Sequence, residues 1–283
     1  MAEINKKAEI NAKNDKRSIF GYKTVDFHAH AFPDKIAEKA ALNLETYYDM
    51  PLVANGHFNV LLEKARASNI DKMVILSTAT KAAQVENVNN YISSLMNEYG
   101  DLLIGFGTIH PEYSDYKNEL KRVKELGLRG IKLHADFQNF YLDAPEMLPI
   151  YEEIIKLDLP ILFHMGDKNF DRTSPKRLAW LLDKYPEMTA IGAHLGGVFM
   201  WDESIEYLVG KNLYFDTSST LHALEKEKFM YIVRKHGADK ILFGTDYPLS
   251  DYELEFERFK GLDLTDEEKE KIFYKNAYRL LKL

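Results

Sequence analysis

The chain has 283 residues, a length typical of one α/β barrel, and its hydrophobic content of 46% is that of a globular protein. Its 44 acidic and 37 basic side chains give a formal net charge of −7, which argues against a nucleic-acid partner. Because the chain has no cysteine, disulfides, thiolate ligands and a cysteine nucleophile are excluded, and a metal would need nitrogen and oxygen ligands.

The N-terminal residues 1–18 are rich in Lys, Asn and Glu and lack the apolar core of a signal peptide. No apolar run approaches the roughly 20 residues that cross a bilayer. We therefore expect a cytoplasmic protein without a membrane partner. Residues 1–20 are predicted to be a flexible or loosely docked extension, and residues 21–283 a single barrel domain.

The first predicted strand, residues 23–30, contains two histidines two positions apart. On a regular strand Asp26, His28 and His30 would share one face, so the two imidazoles could converge on one metal ion. Val25, Phe27 and Ala29 would share the other face. Alone, the pair indicates a buried strand with hydrogen-bonded histidines as readily as a metal site.

Seven more short apolar runs follow, and most end in a polar residue or Gly, as buried parallel strands do. They span residues 72–78, 102–109, 130–135, 160–166, 189–196, 213–219 and 241–247. Amphipathic patterns between them predict helices over residues 85–99, 116–126, 146–157, 175–185, 225–236 and 265–281.

The alternation of strands and helices favours a (β/α)8 barrel. A doubly wound open sheet is the alternative, but no Gly-x-Gly-x-x-Gly follows the first strand. The segment 32–59 is longer than one helix requires, which predicts a helix followed by a loop that covers the barrel mouth.

Histidines gather at the predicted strand ends. Six of the nine lie at or within two residues of such an end, and Asp246 lies near the end of the last strand: the histidines are His28, His30, His110, His134, His164 and His194. In a barrel these ends meet at one mouth, where the chemistry is done. Histidines scattered through a core would not be distributed in this way.

Taken in order, these blocks resemble the amidohydrolase superfamily of metal-dependent barrels, in its amidohydrolase-related branch. The resemblance rests on residues 26–30 (Asp-Phe-His-Ala-His), 130–134 (Gly-Ile-Lys-Leu-His), 164–166 (His-Met-Gly), 244–248 (Gly-Thr-Asp-Tyr-Pro) and the C-terminal stretch 271–281. Each block is weak evidence alone, but together they follow the family's order over nearly the whole chain. This branch also contains aminocarboxymuconate semialdehyde decarboxylase and relatives of 4-oxalomesaconate hydratase.

The resemblance implies that His28, His30, His164 and Asp246 are the ligands of one divalent metal ion. Three imidazoles and a carboxylate suit Zn²⁺, with Mn²⁺ or Fe²⁺ as alternatives. Such an ion lowers the pKa of bound water and polarises a substrate carbonyl or carboxylate. The resemblance also implies that His194 is the acid/base or orienting histidine and that Asp246 can accept a proton.

Lys132, His134 and His110 are the candidates for substrate binding, although a purely structural role stays open for Lys132 and His134. Lys132 has a further alternative, because binuclear members of the superfamily carry a carboxylated lysine on strand four that bridges two ions. In that arrangement His194 would also be a ligand. Asp26 is expected to have a supporting or structural role.

The first functional hypothesis is a mononuclear metal-dependent hydrolase in which activated water attacks an ester, lactone or amide. The alternative is a non-oxidative decarboxylase or hydratase of a carboxylated substrate, which would share the same ligands. Because few arginines lie near the strand ends to hold a carboxylate, with Arg129 and Arg172 the nearest, the sequence favours hydrolysis.

A third hypothesis is a metal-stabilised barrel that binds a ligand without turning it over. A full ligand set beside a free histidine argues against this hypothesis, because structural metal sites normally close their coordination. We expect a small-molecule substrate, and the resemblance leaves a homo-oligomer open.

Overall fold

A computed structural model describes residues 17–283 of the protein. Its eight parallel strands are β1 Val25–His30, β2 Lys72–Leu76, β3 Leu103–Gly105, β4 Ile131–Leu133, β5 Ile161–Phe163, β6 Ala190–Gly192, β7 Tyr214–Asp216 and β8 Ile241–Leu242. They pair in chain order as one sheet of three strands and one of five. Bridges from Gly107 to Ile131 and from Ala29 to Tyr247 join the edges of these sheets. The predicted (β/α)8 barrel is therefore confirmed, and the alternative open sheet is wrong.

The described helices surround the strands. They are α1 Ala37–Tyr48, α2 Phe58–Ala67, α3 Val85–Tyr99, α4 Tyr116–Glu125, α5 Ala135–Gln138, α6 Leu148–Lys156, α7 Pro175–Lys184, α8 Trp201–Tyr207, α9 Lys226–His236, α10 Tyr252–Phe259, α11 Asp266–Glu270 and α12 Asn276–Leu281. The predicted last helix, 265–281, is divided by a π-helical segment, Lys271–Lys275, between α11 and α12. Within residues 17–283, none of the helices is long and apolar enough to span a membrane.

The predicted N-terminal extension, residues 1–20, lies largely outside the described residues. Its last residue, Phe20, is buried, and its ring lies 4.9 Å from that of Phe243 and 4.8 Å from that of Phe273. The end of this stretch therefore packs against the chain just after β8 and against the C-terminal helical segment.

Two apolar layers hold the barrel together. The larger lies between the strands and the helices, and the smaller collects side chains from six strands around the inside of the ring. Ala277 and Leu281 of α12 belong to the inner cluster. Since each fully buried Leu, Ile or Phe contributes about 1.5–3 kcal/mol, these layers supply the stability that holds the strand ends in place.

The first strand departs from the regular alternation predicted for it. Its pairing register with β2 shifts between Asp26 and Ala29. Val25 and Phe27 consequently pack inside the ring while Ala29 packs in the outer layer. Such a bulge re-aims side chains, and the prediction that Val25, Phe27 and Ala29 share one face is wrong.

Candidate metal centre

Three of the predicted ligands converge where β1 and β8 meet. The Nε2 atom of His28 lies 3.3 Å from that of His30 and 3.3 Å from Asp246 Oδ1, and His30 Nε2 lies 3.2 Å from the same oxygen. His28 and Asp246 are buried, and His30 is slightly exposed. One ion could contact all three residues, because their ligand atoms lie within 4.8 Å of one another.

The fourth predicted ligand, His164, faces this group across His194. Its Nδ1 atom lies 3.1 Å from Nε2 of His194, whose Nδ1 atom lies 4.0 Å from Asp246 Oδ2. The other ring nitrogen of His164, Nε2, donates a hydrogen bond of 3.0 Å to the carbonyl of Gly166. His164 therefore carries its proton on Nε2 and presents the Nδ1 lone pair to His194.

The neighbouring hydrogen bonds assign the tautomers of two more imidazoles. Nδ1 of His28 donates to Asp216 Oδ2 at 2.9 Å, and Nδ1 of His194 donates to the carbonyl of Ser218 at 2.9 Å. Each of these rings therefore carries a lone pair, and no proton, on its Nε2 atom. The lone pairs of His164 and His194 consequently face each other at 3.1 Å, an arrangement that repels unless a metal ion or a proton lies between them.

The charge states suit a divalent metal ion. Burial lowers the pKa of His28 to about 4, and it also lowers the pKa of His30 and of His164. Burial alone would raise the pKa of Asp246, but the neighbouring His28 and His30 hold it well below its usual value. Neutral imidazoles beside an ionised carboxylate are the forms in which these groups bind a metal ion, so the donor set fits one.

Left-handed backbone occurs at two of these residues. His194 has φ +59° and Asp246 has φ +66°, a region that is rarely populated without Gly. Gly166 has φ +86°, and a Cβ there would collide with the backbone of Val198. The fold thus holds the site in conformations that cost energy, which is typical of functional sites.

Lys132 is completely buried and contacts the ion site directly. Its Nζ atom lies 3.3 Å from His28 Nε2. Burial lowers the pKa of Lys132 to about 8, although the carboxylates of Asp216 and Asp246 oppose that shift. The lysine of the binuclear alternative is thus within reach of a ligand, which leaves that alternative open.

A cavity of about 560 Å³ opens beside the site, with His30, His164 and Asp246 in its wall. The rest of the wall is mostly apolar and aromatic, and of the described residues that line it none is Lys or Arg. The large apolar or aromatic residues are Phe32, Ile36, Leu44, Tyr47, Tyr48, Val88, Tyr91, Phe137 and Leu249. Such a wall suits a small, largely apolar ligand that carries a few polar groups.

The structure separates the three residues predicted to bind substrate. His134 lines the cavity, and its ring stacks on that of His164 with centroids 3.8 Å apart. Lys132 contacts His28 instead, and His110 lines a second cavity. Asp26 is buried and accepts hydrogen bonds from the N–H groups of His28 and Thr245, so it links β1 to the segment that carries Asp246.

Sequence reasoning did not assign roles to Asp216 or to the tyrosines of α1. Asp216 ends β7 and orients His28, and Tyr48 ends α1 with its hydroxyl 3.3 Å from His164 Nε2. The predicted helix within the segment 32–59 was a signal that side chains from this region could reach the mouth. Nothing in the local pattern of Tyr47 and Tyr48 distinguishes them from packing residues.

The sequence model of the amidohydrolase family matches residues 25–283, and the chain belongs to this family. A 2-amino-3-carboxymuconate-6-semialdehyde decarboxylase of Dictyostelium discoideum is 26% identical over 203 residues, covering 57% of this chain and 55% of the relative. The chain thus spans about half the length of that relative. A gamma-resorcylate decarboxylase of Polaromonas sp. (strain JS666) is 23% identical over 274 residues, covering 76% of this chain and 81% of the relative.

Solved structures show the same fold. A dihydroxybenzoic acid decarboxylase from Polaromonas sp. JS666, with bound manganese and the inhibitor 2-nitroresorcinol, superposes with a TM-score of 0.70 at 18% identity, covering 93% of this chain and 97% of that one. The protein is therefore an enzyme of the amidohydrolase family with a TIM-barrel fold, and its described residues include a group of His and Asp that could hold a metal ion.

Proposed function

We propose that this protein is a non-oxidative decarboxylase of a small planar carboxylated substrate. One divalent ion would be held by His28, His30, His164 and Asp246. The observation that carries the proposal is the convergence of imidazole lone pairs and a carboxylate on the wall of an apolar cavity. Both curated relatives described above are named decarboxylases, which supports this reaction over the hydrolysis favoured by the sequence.

The apolar cavity suits the charge movement of decarboxylation. The bond between the substrate carbon and its carboxylate carbon breaks, CO₂ leaves, and the electron pair stays on the substrate carbon, which then takes a proton. Negative charge therefore leaves a compact carboxylate and spreads over a planar system, a change that surroundings of low polarity favour. When bound, the ion would supply positive charge that holds and orients the anionic group of the substrate.

His194 is the residue placed to handle that proton. Its Nδ1–H is committed to the Ser218 carbonyl, so Nε2, which faces the site, would first take up a proton from solvent or from a substrate hydroxyl and then pass it to the substrate carbon. Asp246 stays ionised and accepts a hydrogen bond of 2.5 Å from Ser219 on Oδ2, while Oδ1 faces His28 and His30. We assign proton transfer to His194 and ion binding, with a secondary acid/base role, to Asp246.

The scarcity of arginine does not count against this reaction. Because the ion itself can bind a carboxylate, the substrate anion needs no guanidinium in the cavity. The identity of the ion is part of the proposal: the ligand types suit Zn²⁺, whereas the related dihydroxybenzoic acid decarboxylase contains manganese.

The first experiment is elemental analysis of protein purified without added metal, for wild type, His164→Ala and the control His57→Gln. His57 lies outside the site, where it bonds to Asp34. We expect about one equivalent of a divalent ion in wild type and control, and less in His164→Ala. Two equivalents would favour the binuclear alternative with a carboxylated Lys132, and no ion after reconstitution would overturn the proposal.

The second experiment is a reaction screen on the metal-loaded enzyme. Gamma-resorcylate and other hydroxylated aromatic acids would be assayed for CO₂ release, and aryl esters and lactones for hydrolysis. CO₂ release that a chelator abolishes supports the proposal. Hydrolysis without release of CO₂ from any acid would replace it with the hydrolase.

A further inference from the structure

We propose that the hydroxyl of Tyr48 donates a hydrogen bond to an oxygen of the bound substrate, so that the enzyme selects ligands with an anionic or phenolic oxygen beside the ion-bound group. This inference rests on the proposed function for the class of substrate. The role of Tyr48 as a donor rests on the hydrogen bonds around it.

Tyr48 is the last residue of α1 and is buried in the wall of the cavity. Its hydroxyl oxygen lies 2.9 Å from Nε2 of His134 and 3.3 Å from Nε2 of His164. These two imidazoles are stacked, with an interplanar angle of 7°, so one oxygen faces the same edge of both rings. The position of this hydroxyl is therefore defined by two neighbours.

The first neighbour, His164, is a donor on this side. Its Nε2 atom also lies 3.0 Å from the carbonyl oxygen of Gly166, which can only accept a hydrogen bond. The Nε2 atom therefore carries the proton. It follows that Tyr48 cannot donate a hydrogen bond to this nitrogen.

The second neighbour, His134, is also a donor on this side. The backbone N–H of Phe137 points at its Nδ1 atom at 3.4 Å, as part of the N-cap of α5. An imidazole that accepts on Nδ1 must carry its proton on Nε2. The 2.9 Å contact is therefore a hydrogen bond from His134 to the oxygen of Tyr48.

Since neither histidine can accept a hydrogen bond on Nε2, the hydroxyl proton of Tyr48 is left without an acceptor among the described residues. Tyrosine hydroxyls that are buried normally donate as well as accept. A second hydroxyl of the same cavity, Thr78 Oγ1, is buried and has no hydrogen-bond partner among these residues. Both observations point to a polar ligand atom in the cavity.

The chemistry of that atom follows from the rest of the wall. No Lys or Arg of the described residues lines the cavity, so the ligand oxygen is recognised by neutral hydroxyls rather than by a cationic side chain. The Tyr48 hydroxyl lies on the Nε2 side of the His164 ring, whereas the other ring nitrogen, Nδ1, faces the ion site. The acceptor is therefore a separate oxygen on the substrate ring, beside the group that faces the ion.

The test compares wild type, Tyr48→Phe and the control Tyr151→Phe. Tyr151 is a buried tyrosine outside the cavity whose hydroxyl donates to the Leu142 carbonyl. Binding of 2-nitroresorcinol and of nitrobenzene, which keeps the ring and nitro group but lacks both hydroxyl oxygens, would be measured by calorimetry on metal-loaded protein. Metal content would be measured in parallel. KM and kcat would be measured for any substrate that the reaction screen finds.

We expect Tyr48→Phe to weaken 2-nitroresorcinol binding by about five- to tenfold, the loss of one ordinary hydrogen bond, with nitrobenzene binding and metal content unchanged. Equal affinity in Tyr48→Phe and wild type would overturn the inference, and so would loss of metal together with affinity, because Tyr48 would then only support His164. These binding measurements need no turnover. Failure of every decarboxylation assay would therefore remove the proposed function without deciding the role of Tyr48.

Discussion

The two walls of the cavity are built differently. The strand wall is the ion site beside the cavity, where one ring nitrogen of His28, His164 and His194 donates to a protein acceptor and the other carries a lone pair toward the ion site. On the helix wall, α1 contributes Leu44 and the tyrosines that follow it, in contact with other aromatic rings.

This difference separates two tasks. Ion binding requires ligand atoms at fixed positions, and hydrogen bonds to neighbouring strands supply that rigidity. Substrate selection requires shape and a few polar groups, which an aromatic surface supplies. Variants in the strand wall should therefore change the metal content, whereas variants in the helix wall should change the KM and leave the metal bound.

The largest effect is expected for Asp246→Asn in the strand wall. Removal of the ionised ligand beside His28 and His30 should lower ion affinity and activity by more than about 100-fold, since even outer partners of a metal site are worth 10–100-fold. Metal titration and CO₂ release are the measurements. Full metal occupancy in this variant would contradict its assignment as a ligand; Asp263→Asn, at an exposed side chain, is the control.

A smaller effect is expected for Asp216→Asn, because Asp216 contacts His28 and is not one of the proposed ligands. Asp216 accepts the Nδ1–H of His28 at 2.9 Å, so the amide would weaken control of the tautomer. Ion affinity should fall by about 10–100-fold. Metal titration at fixed pH measures this loss. An unchanged ion affinity would show that the hydrogen bond between Asp216 and His28 only stabilises the barrel.

In the helix wall, Leu44→Ala should leave the ion site intact. Leu44 is buried at the cavity, so its truncation should lower the free energy of unfolding by about 2 kcal/mol, the lower end for a core leucine. We expect a higher KM, an unchanged metal content and a nearly unchanged kcat. Denaturant unfolding and steady-state kinetics check these values. Loss of metal in this variant would contradict the assignment of ion binding to the strand wall alone.

The smallest effect concerns acid stability away from both walls. Burial lowers the pKa of His236 from 6.5 to about 4, so the unfolded chain binds more protons between these values. The contribution of His236 to stability is therefore present above pH 6.5 and is lost as the pH falls toward 4. His236→Gln should show a shallower fall in the free energy of unfolding over that window than wild type, measured on metal-free protein. Parallel curves would contradict the prediction.

Much of the barrel was predictable because its signals are local. Buried parallel strands require short apolar runs, and the helices that cover them require apolar faces, so the alternation along the chain indicated the (β/α)8 fold. The N-cap of α11 is equally local, because Thr265 and Glu268, three residues apart, form both hydrogen bonds of a capping box. The positions of His28, His30, His164, His194 and Asp246 at strand ends implied that they would meet at one mouth.

Other features depend on partners that are distant in sequence. Which nitrogen of His28 or His194 faces the site is decided by Asp216 and Ser218, which lie at and just after the end of β7. The bulge in β1 depends on its pairing with β2, and strict alternation could not reveal it.

The chemistry of the cavity was hidden for the same reason. Tyr48 contacts His134 and His164 because α1 folds over the strand ends, a contact spanning 86 and 116 residues of sequence. The sequence by itself determined the barrel and the residues at its mouth, since apolar periodicity and strand ends are properties of neighbouring residues. Only the tertiary structure decided the direction of each hydrogen bond in the site, because the donor and the acceptor come from different parts of the chain. The direction of these bonds in turn decides which atoms remain free for an ion or a substrate.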